Sequence, residues 1–102
     1  DNAAQLSKKP KYISSEMAQE KVKKGAVLID VRTPEEYEEN HIDGAINIPH
    51  TNILISIQEV VPDKNTEVIV YCSARKRSEQ ARDSLNYLGY FNVYVLDGYV
   101  NQ

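Results

Sequence analysis

Three short apolar runs constrain this chain most: AVLIDV (26–31), EVIVYC (67–72) and NVYVL (92–96). Each is rich in β-branched residues and lacks the alternation of a strand with one wet face. Such runs read as strands covered on both faces, and strands of that kind pair in parallel. Between them lie stretches with helical signals. Ser14 or Ser15 caps a helix that carries Glu16 in its first turn, sets Ala18 and Val22 on one face, and ends at Lys23, Lys24 and Gly25. Thr33 and Glu36 form a capping box with Pro34 at the first helical position, opening a short acidic helix to about Asn40. Ile53, Ile57 and Val60 recur at helical spacing, widened by Leu54 and Val61. Ala81, Leu85 and Leu88 form a further stripe, ended by Gly89, in a helix opened by Ser78 or its neighbour. Tyr12–Ile13 and GAINIP (44–49) supply two more strands. The alternation predicts an α/β domain with a mostly parallel five-stranded sheet, right-handed crossovers and helices on both faces.

With 102 residues the chain makes one core, not two. We assign residues 1–11, polar and carrying Pro10, to a flexible tail and residues 12–102 to the domain. The first residue is Asp1; removal of an export leader is the favoured reading, a cytoplasmic chain the alternative. No apolar run approaches the ~20 residues that span a bilayer. A net charge of −3 without a basic stripe argues against nucleic acid as a partner.

Cys72 is the single cysteine, which excludes an internal disulfide. It ends the central strand, where open α/β sheets bind ligands. Ser73, Ala74, Arg75, Lys76, Arg77 and Ser78 follow, and residues 72–82 carry an excess of three positive charges. Main-chain N–H groups in a tight loop, with a helix N-terminus behind them, cradle an anion and favour a thiolate. The basic residues would draw in an anion. Against this stands the plain alternative of a buried cysteine behind a solvated basic surface.

Four residues separate Cys72 from Arg77, and Ser78 follows. This resembles the active loop of the rhodanese family of sulfurtransferases. LIDVRTPEEYEENHIDGAINIP (28–49) is similar to that family's first signature through Asp30, Arg32, Glu36, Tyr37, His41, Ile42, Gly44, Ala45, Asn47 and Pro49. The resemblance, over roughly residues 12–99, implies a single rhodanese-like domain and transfer of a sulfane sulfur. Its implied catalytic residue is Cys72, which takes sulfur from a donor such as thiosulfate and passes it as a persulfide to cyanide or a thiol, including a protein thiol. Residues 73–78 would form the substrate-binding loop, Arg77 fixing it through its fork, with Asp30 and Arg32 as structural support near the site. No cofactor or metal is implied, and a monomer is expected. His41 reads as a structural helix end, and with His50 it makes no metal set. Glu35, Glu36, Glu38 and Glu39 read as a solvated face.

Two departures bear on donor preference. Asp97-Gly98-Tyr99 stands where relatives often carry Gly-Gly and an aromatic, and the usual closing helix is short or missing. Arg75 and Lys76 occupy loop positions that are often small or uncharged. Two other functions compete. A cysteine phosphatase or arsenate reductase needs five residues between cysteine and arginine, to ring a tetrahedral oxyanion. A non-catalytic binding module of the same fold commonly lacks the cysteine.

Overall fold

The β-branched runs pair as expected. In a computed structural model that describes residues 10–97, strands β1 (Tyr12–Ile13), β2 (Val27–Asp30), β3 (Ile46–Asn47), β4 (Val68–Tyr71) and β5 (Val93–Leu96) form one sheet in the order β1-β5-β4-β2-β3. Every pairing is parallel. Helices α1 (Ser15–Lys23), α2 (Pro34–Glu39), α3 (Ile53–Val60) and α4 (Arg75–Tyr87) connect the strands, with a 3₁₀ turn at His50–Asn52 before α3. Residues 1–9 of the expected tail lie outside the described residues. The Lys11 carbonyl already accepts the Val95 N–H, at 2.8 Å. Among the described residues no helix is long and apolar enough to cross a membrane.

Side chains alternate across each strand, so one sheet builds two cores. Ile29 and Val31, Val68, Val70 and Cys72, and Val93 and Val95 face α3 and α4, meeting Ile53, Ile57, Ala81 and Leu85. Leu28, Ile69, Tyr71 and Leu96 face the other way, against Ala18 of α1 and Tyr37 of α2. Ile57 is fully buried; truncating such a side chain to Ala costs about 2–5 kcal/mol.

The local signals fix most element ends. Ser14 caps α1 by accepting the Met17 N–H at 3.1 Å. The Thr33–Glu36 capping box forms in full. Gly25 and Gly89 follow α1 and α4 at φ of 108° and 100°, a left-handed backbone that ends a helix and disfavours a β-carbon.

Some expectations fail. Leu54 is exposed, because α3 rests only a narrow stripe on the sheet. GAINIP contributes only Ile46–Asn47 to the ladder. Helix α4 opens at Arg75 rather than at Ser78. Ala74, extended at φ −131° and ψ 142°, is its N-cap, so only Ser73 and Ala74 remain outside regular structure after Cys72.

Candidate active site

Cys72 directly follows β4, the strand flanked by β5 and β2. It is 5% exposed and belongs to the core on the α3–α4 side. Its Sγ accepts the Ser78 N–H at 3.3 Å, lies 3.5 Å from Ser78 Oγ, and rests against the Ala74 carbonyl. The N-cap Ala74 offers no side-chain acceptor, and the amide that reaches the sulfur is that of the fourth residue of α4. A ring of loop amides was expected. The contact found is the Ser78 amide alone among the described residues. That position still gives an anionic sulfur the positive end of a 13-residue helix.

Arg77 secures the turn. Its guanidinium donates to Glu36 Oε1 at 2.8 Å and Oε2 at 3.1 Å, and to Ser73 Oγ at 3.0 Å. Glu36 is therefore not the solvated residue that the acidic helix implied. It closes the capping box on Thr33 and grips Arg77 with the same carboxylate. The Arg77 hydrogen bond, followed by the Thr33 main-chain N–H, lowers its pKa from 4.5 to about 2. The Arg77 pKa is raised in return, first by Glu36, with the charge of Cys72 contributing in the same direction. The capping box made Glu36 visible in the sequence; its partner 41 residues away left no local sign.

The expected cationic cluster is largely neutralised. Arg75 pairs with Asp97 at 2.6 Å, Arg77 with Glu36, and Arg82 with Asp83 at 2.9 Å. Lys76 is exposed and makes no ion pair among the described residues. Ser78 is buried, and its hydroxyl donates to the Arg75 carbonyl at 2.8 Å.

Beneath the loop lies a second cluster. Asp30, fully buried, accepts from the Arg32 main-chain N–H at 2.9 Å and from its guanidinium at 2.7–3.1 Å. Arg32 also donates to the Asn40 carbonyl at 2.6 Å, and its guanidinium stands 5.9 Å from the Tyr71 ring. The Tyr71 hydroxyl donates to Asp30 at 3.0 Å and accepts the Ile42 N–H at 3.0 Å. Burial, ahead of any other cause, pushes the Tyr71 pKa up. The cluster ties the ends of β2 and β4 to the segment after α2. The role of Tyr71 depends on Asp30 lying in register opposite it. His41 stacks on Tyr37 with ring centroids 3.7 Å apart, and its Nδ1 meets the Tyr37 carbonyl at 2.8 Å. Among the described residues, no three His, Cys, Asp or Glu side chains converge as metal ligands would. Tyr99 of the Asp97-Gly98-Tyr99 stretch lies outside the described residues. A cavity of 710 Å³ opens beside α1, between Ala18, Val22, Leu28, Ile42 and Leu96; Cys72 does not line it.

Residues 10–102 match the family described as Rhodanese-like domain. The chain belongs to the rhodanese-like family. Thiosulfate sulfurtransferase PspE of Escherichia coli is 49% identical over 65 residues, which are 64% of this chain and 62% of that protein. Among solved structures, a rhodanese with anions from E. coli is 44% identical, with a TM-score of 0.64 over 72% of this chain and 84% of that one. The human single-domain sulfurtransferase TSTD1 is 27% identical, with a TM-score of 0.76 over 90% and 92%. This rhodanese-like chain therefore spans a little under two thirds of the length of PspE, and most of both structural relatives.

Proposed function

We propose that the protein is a sulfurtransferase in which Cys72 carries the transferred sulfur. The observation that carries this reading is the seat of Sγ at the end of the central strand, 3.3 Å from the Ser78 amide in the opening turns of α4. The names of the relatives, thiosulfate sulfurtransferase and sulfurtransferase, support it.

In the first half-reaction the Cys72 thiolate attacks the outer sulfur of thiosulfate. The new S–S bond forms as the bond to the sulfonate sulfur breaks, and sulfite leaves with that bond's electron pair. Cys72 is then a persulfide, its terminal sulfur anionic beside the head of α4. In the second half-reaction cyanide attacks the terminal sulfur and leaves as thiocyanate, returning the thiolate; a thiol acceptor takes the sulfur as its own persulfide. This is covalent catalysis by an activated thiol, with fixed dipoles stabilising the sulfur anion. Ser73, Ala74, Arg75, Lys76, Arg77 and Ser78 frame the donor, and Asp30 with Arg32 supports the strand ends beneath. The chain needs no metal or organic cofactor for these steps.

Incubation with thiosulfate followed by intact-mass measurement tests the reading. A gain of about 32 Da, absent in Cys72→Ala, is the expected result. No gain with thiosulfate or any other sulfane donor would favour a binding module. The four-residue interval between Cys72 and Arg77 predicts no turnover of aryl phosphates, and robust phosphatase activity would place the chain in a different class.

A further inference from the structure

Net charge near the thiol is set by pairing, not by the count of basic residues. Arg75 is the first residue of α4, and its guanidinium reaches the β5–β1 side of the sheet. It meets Asp97, just past β5, at 2.6 Å and stands 4.9 Å from the centre of the Tyr12 ring on β1. A carboxylate and an aromatic face thus hold the same cation. Arg77 is occupied by Glu36 and Ser73. Asp97 is fixed in turn, since its main-chain N–H donates to the Ile13 carbonyl at 2.8 Å.

We infer that Asp97 is a specificity-determining residue: by holding Arg75 against the β1–β5 edge it lowers the site's preference for anions and leaves Lys76 as the cation that draws them in. Both Arg75 and Asp97 are more than half exposed in their side chains, so removing either partner costs the fold little. Where the anion is a sulfur donor, the inference rests on the sulfurtransferase reading. Its electrostatic content does not.

Two alkylating agents of similar size separate the questions. Iodoacetate is anionic and iodoacetamide neutral; each transfers its CH₂ carbon to the Cys72 thiolate and releases iodide. The ratio of their rates reads the field at the sulfur and cancels the opening of the loop. Asp97→Asn is expected to raise the iodoacetate preference about threefold to fivefold at low salt, and Lys76→Ala to lower it by a similar factor. With Arg75→Ala already present, Asp97→Asn is expected to change the ratio by less than about twofold, because the cation to be released is gone. Salt at about 1 M, with a screening length of about 3 Å, shrinks all these differences. Asp97→Glu keeps the wild-type ratio. Should Asp97→Asn fail to fold by circular dichroism, Asp97→Ser takes its place. An unchanged ratio in the Asp97 variant overturns the inference, as does an equal gain with and without Arg75. Thiosulfate uptake, followed by mass on the same proteins, keeps the two readings apart. A wild type that takes no sulfur but shows the ratio pattern loses its assigned reaction and keeps its charge mechanism. A wild type that takes sulfur while the ratios stay flat does the reverse.

Discussion

Two of the carboxylate–guanidinium pairs around the site, Asp30–Arg32 and Arg75–Asp97, do different work. Asp30–Arg32 is buried, with side-chain exposures of 0% and 6%, and every oxygen of Asp30 is engaged. Arg75–Asp97 is as short, at 2.6 Å against 2.7 Å, but its side chains are 61% and 51% exposed. Distance does not separate them; water does. A buried charge stripped of its partner has no solvent to turn to, so removing one member is expensive. An exposed pair exchanges its bond for hydration at little cost. The first pair therefore holds the sheet ends together, and the second is free to adjust the field at the sulfur. Glu36–Arg77 stands between them in exposure, at 35% and 25%.

Substitutions should follow that order. Asp30→Asn is expected to be the most damaging, destabilising the fold by about 3–5 kcal/mol, as loss of charge leaves Arg32 buried and uncompensated. Urea unfolding measures this, and a loss under 1 kcal/mol would break the contrast. Tyr71→Phe removes one hydrogen bond from Asp30 and leaves the Ile42 N–H without its acceptor; about 1–3 kcal/mol should be lost. Glu36→Gln should cost no more than about 1 kcal/mol at neutral pH, given the partial exposure of the pair. It carries a sharper signature in acid. The folded-state pKa of Glu36 lies below its ordinary value of 4.5, at about 2. Its contribution is thus complete above pH 4.5 and fades as the pH falls toward 2. The Gln variant should lack that share of the acid slope, and two superimposable acid profiles would remove Glu36 from the account. Arg75→Ala should shift stability least, by under about 0.5 kcal/mol, while changing how the thiol discriminates charged reagents.

Much of the architecture was legible because its causes are local. Val27–Asp30, Val68–Tyr71 and Val93–Leu96 declared themselves by runs of β-branched and other apolar residues, and the Thr33 capping box fixed one helix start to the residue. The start of α4 was misjudged for an equally local reason. Arg75, Lys76 and Arg77 are good helix formers, but Ala74 is a poor cap and three cations sit badly at a helix N-terminus. Cys72 and the Arg77–Glu36 bond offset those faults from outside the segment. In the site, Cys72 and Arg77 were visible in the sequence. The parts played by Glu36, Tyr71 and Asp97 were not, since each is defined by a partner on another element.

The residue pattern by itself determined an α/β domain, a cysteine at the end of its central strand and four cations close behind in the chain. Folding alone decided which of those cations keep their charge unmatched. Short-range preferences are written in neighbouring residues, whereas the field at a buried sulfur is a sum over groups that the sheet register brings together from distant parts of the chain.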